Sequence, residues 1–219
     1  MHSDEGRDYP PYYPALLNLE GRRCVVVGGG DVAERKAKAL LDCGAKVVVI
    51  APQATRAIGE LARQGALRWL AKPYAPGELA GAWLVIAAAT PDINVAVADE
   101  ARRERIPINV VDDPGRCDFI VPAVVRRGPL LIAISSHGAS PALARRLREL
   151  IEAQIGPEYG ELAALLGRLR AEVMAVGGED ERRRIWQAIL DSRALELLRE
   201  GKREEAELEA RRCISPARG

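Results

Sequence analysis

A chain of 219 residues can hold one large domain, or an α/β domain with a smaller companion, and can bury a core without disulfide or metal staples. Its 48% apolar and 29% charged residues argue against wholesale disorder, and a formal net charge of +1 offers no general attraction to nucleic acid or anionic lipid. Four scattered cysteines (Cys24, Cys43, Cys117 and Cys213) form no ligand-spaced pair and read as buried free thiols in a reducing compartment. Residues 1–14 are polar and proline-rich without an apolar signal core. No apolar run approaches a membrane span, so the expected location is the cytoplasm.

In chain order, Cys24-Val25-Val26-Val27 is a short apolar run ahead of a glycine cluster and predicts a buried strand. Ala33, Ala37, Leu40 and Leu41 follow at helical spacing, with Gly44 at the stop. A second strand is predicted over residues 47–50, a helix over 55–64, a strand over 67–70 and a fourth strand over 83–87. Ile93, Ala96, Val97 and Ala101 mark another helix, and residues 108–111 a fifth strand running into Asp112-Asp113-Pro114. Strands alternating with helices predict a parallel sheet covered on both faces.

After Pro114 the pattern changes. Residues 119–125 and Leu130–Ile134 are strand-like and separated only by Arg126-Arg127-Gly128-Pro129, which is hairpin spacing. From Ser140 the periodicity is helical. One stripe joins Leu143, Leu147, Leu150 and Ile151. A second joins Leu162, Leu165, Leu166, Leu169, Val173 and Val176, before Gly177-Gly178 and a third helix with Ile185, Trp186, Ile189 and Leu190. The tail from Arg145 holds fifteen basic and fifteen acidic residues, the pattern of solvated helix faces and not of a nucleic-acid patch. The reading divides the chain at 1–114, 115–145 and 146–219.

Gly28-x-Gly30-x-x-Ala33 has the G-x-G-x-x-G/A form that binds dinucleotides. The first glycine allows the tight turn out of the strand, the second lets backbone approach a pyrophosphate, and Ala33 lets helix and strand pack closely. The helix start, with Asp31 and Val32, offers unpaired N–H groups to phosphate. The usual acidic residue at the end of the second strand is absent; Ile50-Ala51-Pro52-Gln53 stands there. Pro52 and Gln53 are therefore the expected ribose-side contacts, and the choice between NAD and NADP stays open.

Four motifs in order carry a family resemblance: Val25-Val26-Val27-Gly28-Gly29-Gly30-Asp31-Val32-Ala33-Glu34-Arg35-Lys36, Asn109-Val110-Val111-Asp112-Asp113-Pro114, Phe119-Ile120-Val121-Pro122-Ala123, and Ile134-Ser135-Ser136-His137-Gly138-Ala139-Ser140-Pro141. Together they resemble the precorrin-2 dehydrogenase and sirohydrochlorin ferrochelatase family, the N-terminal module of siroheme synthase. The resemblance implies a Rossmann-like NAD-binding domain, a dimerisation segment after it, and a homodimer. It implies oxidation of precorrin-2 to sirohydrochlorin with NAD, followed in some members by insertion of Fe2+ as a second substrate. It also implies an additional methyltransferase domain in larger members; this chain is expected to be too short for one and to receive precorrin-2 from a separate enzyme.

Asp112 lies at the carboxyl end of the fifth predicted strand, where open α/β sheets bind ligands. It matches the family's proposed general base, and hydride removal must be accompanied by loss of a proton. A turn-capping role is the alternative, with Asp113 the better capping candidate. Ser136 matches a family pocket serine, though a hydroxyl bonded to loop backbone is the competing reading. Ser140 and Pro141 suit a helix start, and Arg145 one turn in could receive substrate carboxylates. His137 occupies a position where a small residue is expected; a substrate contact that assists proton transfer or approaches iron is one reading, and a bystander on the loop is the competing one. No histidine or cysteine cluster has metal-ligand spacing, so no metal site is expected. A dinucleotide-sensing module without catalysis is the alternative function.

Overall fold

The computed structural model describes residues 12–214, so the polar start of the chain and His2 lie outside the described residues. Two compact units meet in sequence between Val121 and Pro122. The three parts drawn from the sequence thus appear as two, with the hairpin and the helices sharing one unit.

The first unit is built on five parallel strands, β1 (Arg23–Val27), β2 (Lys46–Ile50), β3 (Arg68–Leu70), β4 (Leu84–Ala87) and β5 (Ile108–Val110), in the order β3-β2-β1-β4-β5. Three helices alternate with them: α1 (Asp31–Leu41), α2 (Arg56–Arg63) and α3 (Pro91–Glu104). Side chains alternate across the sheet. Cys24, Val26, Val47 and Val49 pack with Ala33, Ala37, Leu40 and Ile58 of α1 and α2. Val25, Val27, Ile50 and Val85 pack on the other face with Val97, Ala98 and Ala101 of α3. Burial on both faces is why the strands read as unbroken apolar runs, and each fully buried valine contributes about 1.5–3 kcal/mol. The expected Rossmann-like sheet is therefore observed.

One crossover lacks a helix. Between β3 and β4 the chain instead folds down over Leu79, which is fully buried. The Arg23 guanidinium donates to the Glu78 and Ala80 carbonyls at 3.1 and 2.8 Å. Glu100 of α3, 3% exposed, accepts from the N–H groups of Gly77 and Leu79 at 2.9 and 3.0 Å and from the Tyr74 hydroxyl. Two side chains thus supply the partners that a helix would have supplied internally.

The second unit starts with an antiparallel hairpin, β6 (Ala123–Arg127) and β7 (Leu130–Ile134). The first strand was expected over residues 119–125 and lies four residues later at its start. Pro122 has no N–H to give a ladder, and residues 117–119 spend their polar groups on β5. Arg127 pairs directly with Leu130, leaving Gly128-Pro129 as a two-residue loop. Gly128 has φ 53°, as the first central position of a type II′ turn demands.

Five helices follow: α4 (Pro141–Gln154), α5 (Pro157–Met174), α6 (Glu179–Asp191), α7 (Ala194–Arg199) and α8 (Arg203–Ile214). Arg127 reaches from the hairpin to the carbonyls of Ile155 and Glu152 at the end of α4, at 2.9 and 3.1 Å. A Cβ on Gly160 would stand 2.4 Å from the Arg127 carbonyl oxygen, so α5 can approach the hairpin only through glycine. Leu165, Leu169 and Val173 of α5 are buried with Ile185, Ile189 and Ala210. Along one side the charges are matched: Glu158–Arg199, Glu161–Arg203, Arg168–Glu207 and Glu172–Arg211 join α5 to α7 and α8. The stripe of α4 behaves differently. Leu143, Leu147 and Leu150 are 52, 38 and 44% exposed, and only Ala144 of that helix is buried.

Candidate active site at the carboxyl edge of the sheet

Val27, Ala87 and Val110 lie in one row across β1, β4 and β5. The glycine turn and Asp112 therefore leave the same edge of the sheet, roughly 10 Å apart at two strand spacings. This edge includes the point between β1 and β4 where the strand order reverses, the usual ligand crevice of such sheets.

The three glycines do different work. Gly28 has φ 128°, its N–H donates to the Ile50 carbonyl at 3.0 Å, and a Cβ there would stand 2.1 Å from the Ala88 carbonyl oxygen. At Gly29 a Cβ would lie 2.0 Å from the Gln53 carbonyl oxygen, and the Gly29 carbonyl accepts from Thr55 N–H at 2.9 Å. These two glycines admit the ends of β4 and β2 into the turn. Gly30 faces open space: it has φ −81°, and a Cβ there would meet no heavy atom within 4 Å.

Gly30 is also the N-cap of α1 and has no side chain with which to cap it. The first helical bond is Glu34 N–H to the Gly30 carbonyl, at 3.0 Å. The N–H groups of Asp31, Val32 and Ala33 consequently have no helical acceptor, and the positive end of the helix dipole lies with them. A turn open at Gly30 with three N–H donors that lack helical acceptors fits a pyrophosphate. Ala33 is fully buried against the sheet, as its small size predicts. Pro52 and Gln53 are exposed at the end of β2, beside the turn through the Gln53–Gly29 contact. Arg56, the next basic residue, is paired with Glu60 at 2.7 Å.

Across the row, Val111, Asp112 and Asp113 form a turn in which Asp113 N–H donates to the Val110 carbonyl at 3.4 Å. Asp112 has φ 60° in this turn, a left-handed conformation that costs an L residue about 1–2 kcal/mol but that aspartate tolerates better than most. Its side chain is exposed, and no hydrogen bond or ion pair with another described residue engages its carboxylate. Asp113 is the bound one: its Oδ2 accepts from Arg116 at 2.5 Å. The two adjacent acids are thus separated into one held by an arginine and one left available.

The loop that follows is tied along β5, the edge strand. Asp118 Oδ2 accepts from Ile108 N–H at 3.0 Å, and Asn109 Nδ2 donates to the Phe119 carbonyl at 3.0 Å. Cys117 Sγ accepts from Val110 N–H at 3.1 Å and lies 3.2 and 3.3 Å from the carbonyl oxygens of Val110 and Asp113. Burial raises the Cys117 thiol above its ordinary value, and burial with nearby Cys43 pushes Cys24 up to about 11. No disulfide joins the four cysteines.

Ser136, His137 and Arg145 belong to the second unit. The Ser136 hydroxyl donates to the Ser140 carbonyl at 3.0 Å and accepts from Ser140 N–H at 2.9 Å, so it braces its own loop. His137 and Gly138 have φ 55° and 86°, and Ala139 N–H closes the turn on the Ser136 carbonyl at 2.9 Å. Two positive φ values in succession mark a type I′ turn, which explains why a small residue is expected where His137 stands. Ser140 caps α4 by accepting from Leu143 N–H at 3.2 Å, with Pro141 at the first helical position. Arg145 is exposed one turn on, with no carboxylate partner among the described residues. Among the described residues, no three His, Cys, Asp or Glu side chains converge to hold a metal ion, and no helix is long and apolar enough to cross a membrane.

Sequence reasoning missed two residues that shape the edge: Cys117 and Asn94. Asn94 Oδ1 accepts from Ala89 N–H at 2.9 Å and its Nδ2 donates to the Ala89 carbonyl at 3.3 Å, which fixes the loop facing Gly28. The reach of Cys117 back to Val110 leaves no signal in the sequence.

Comparison with known proteins gives consistent results over both units. The family described as "Putative NAD(P)-binding" matches residues 15–123, "Sirohaem biosynthesis protein central" residues 127–154, and "Sirohaem synthase dimerisation region" residues 158–214. Siroheme synthase 3 of Aeromonas hydrophila is 46% identical over 181 residues, covering 82% of this chain and 39% of that protein. The siroheme synthase of Methylococcus capsulatus is 47% identical over 199 residues, covering 90% and 42%. This chain therefore spans about two fifths of the length of those relatives. The solved structure of SirC, a precorrin-2 dehydrogenase, superposes with a TM-score of 0.73 at 26% identity, covering 92% of this chain and all (100%) of SirC.

Proposed function

We propose that this chain, which belongs to the siroheme synthase family, catalyses the NAD-dependent oxidation of precorrin-2 to sirohydrochlorin. The observation that carries the reading is the unengaged Asp112 carboxylate, which shares one sheet edge with the open glycine turn. A sensor of dinucleotide needs the turn but has no use for a free carboxylate beside it.

A nicotinamide dinucleotide, when bound, supplies the hydride acceptor. The residues to hold it are the turn at Gly28 and Gly30, the N–H groups of Asp31, Val32 and Ala33, and Pro52 with Gln53 at the ribose end. Arg56 pairs with Glu60 only at the surface, so NAD is the proposed form and NADP the alternative that the assay below distinguishes. Asp112 takes the proton that the tetrapyrrole loses as the hydride departs, a role worth about 10²–10⁴-fold in rate. Asp113 faces Arg116 and is not the proposed base.

In the second unit, Arg145 is the proposed contact for a substrate carboxylate. Ser136 is proposed to brace the loop on which it is presented through its bonds to Ser140, and His137 to shape that loop through its place in the turn. The exposed leucines of α4 are proposed to meet a second copy of the chain, in keeping with the dimerisation region that follows. Four thiols without a disulfide suit a reducing compartment, and the cytoplasm is the proposed location of the reaction.

The test is to incubate the protein with precorrin-2 and either NAD or NADP and to follow the appearance of the sirohydrochlorin spectrum. Oxidation with NAD is expected; no spectral change with either cofactor would overturn the proposal. Anaerobic addition of Fe2+ to sirohydrochlorin, with and without the protein, then separates a dehydrogenase from an enzyme that also inserts the metal.

A further inference from the structure

We infer that Cys117 is a positioning residue for Asp112, holding the turn that aims the catalytic carboxylate. The inference rests on the proposed role of Asp112 and goes beyond it, because it concerns what keeps that side chain in place.

β5 is the edge strand of its sheet, so one side of its backbone has no neighbouring strand. Val111 N–H turns inward and donates to the Ala87 carbonyl at 2.9 Å, while Val110 turns outward. Cys117 meets both outward groups of Val110 with one atom. Its Sγ accepts from Val110 N–H at 3.1 Å and lies 3.2 Å from the Val110 carbonyl oxygen. The same sulfur lies 3.3 Å from the Asp113 carbonyl oxygen. A thiol has one hydrogen to donate, so the two carbonyls share it.

Val110 and Asp113 are the two ends of the turn, and Asp112 lies between them with φ 60°. The turn's own bond, Asp113 N–H to the Val110 carbonyl, is long at 3.4 Å. A left-handed aspartate costs about 1–2 kcal/mol, so contacts at the two ends of the turn bear directly on how firmly it is held. Cys117 is the side chain that grips both ends at once. The neighbouring ties, Asp118 to Ile108 and Asn109 to Phe119, fix the loop further back and do not reach the turn.

Cys117 also packs against the core on the α3 face, so its substitution has to separate hydrogen bonding from packing. Three variants do so. Cys117→Ser keeps a donor and an acceptor, Cys117→Val fills the space without either, and Cys117→Val in an Asp112→Ala background asks whether the effect passes through the carboxylate. Each is assayed for precorrin-2 oxidation, with dinucleotide affinity measured separately by titration as the check on folding.

Cys117→Val is expected to lower kcat by roughly 10–100-fold, as expected for a reacting group displaced by about 1 Å, with KM for precorrin-2 and dinucleotide affinity unchanged. Cys117→Ser is expected to stay within about threefold of the native rate. In the Asp112→Ala background Cys117→Val should cause no further loss. A native rate in Cys117→Val, an equal loss in Cys117→Ser, or full additivity with Asp112→Ala would each overturn the inference while leaving the dehydrogenase reading intact. A fully active Asp112→Ala would overturn the base assignment and this inference together. If Cys117→Val fails to bind dinucleotide, the comparison of Cys117→Ser with Cys117→Ala decides in its place, by the same split between rate and affinity.

Discussion

Gly28 and the Ala88 carbonyl are packed so closely that a Cβ on the glycine would stand 2.1 Å from the oxygen. Two residues along, Gly30 has open space where its Cβ would be. The same substitution should therefore act differently at the two positions. Gly28→Ala adds both a backbone clash and a disfavoured φ of 128°, and is expected to destabilise the fold by more than about 3 kcal/mol in urea unfolding. Gly30→Ala, at φ −81°, is expected to unfold like the native protein but to bind dinucleotide at least about tenfold more weakly. Equal stabilities for the two variants would contradict this division of labour.

Asp112→Asn keeps the size and the tolerance for left-handed backbone while removing the proton acceptor. Its oxidation rate is expected to fall by about 10²–10⁴-fold with dinucleotide affinity unchanged. Asp113→Asn loses only the Arg116 pair at the surface, and a change of less than about 1 kcal/mol in stability is expected. Were Asp113→Asn the inactive variant, the two acids would have exchanged roles.

Glu100 makes stability depend on pH. Burial alone would raise its pKa, but the Tyr74 hydroxyl and the N–H groups of Leu79 and Gly77 outweigh burial and hold it below 4.5. A carboxyl whose folded pKa is depressed stabilises the protein above its unfolded value and loses that contribution as pH falls through the folded one. Glu100→Gln is expected to cost about 2–4 kcal/mol at neutral pH, since buried N–H groups lose a charged acceptor. The gap between variant and native protein should narrow in acid. Urea unfolding across the acid range measures it, and a constant gap would exclude this role.

Leu147 sits at the middle of the exposed stripe on α4, at 38% exposure. If the stripe meets a second copy, Leu147→Glu places a charge in a desolvated interface and should shift the protein to monomers at micromolar concentration. Light scattering after size exclusion reads the mass directly. A dimer that survives this change would have to use another face.

The order of elements was legible because parallel strands buried on both faces leave continuous apolar runs, while α1 and α3 repeat at helical spacing. The glycine spacing, the Ser140-Pro141 start of α4 and the placement of Asp112 at a strand end were equally local, and each is found where the sequence puts it. Local pattern also carried the family resemblance.

Distance in space decided the rest. The stripes of α4 and α5 read alike in sequence, yet Leu165 and Leu169 are buried and Leu143 and Leu147 are not. Periodicity reports that a helix face is apolar; it does not report what covers that face. The start of β6 moved from Phe119 to Ala123 because residues 117–119 are occupied along β5, a contact that no strand propensity encodes. Asp112 and Asp113 are chemically identical and adjacent. Only the reach of Arg116 makes one a held group and leaves the other free.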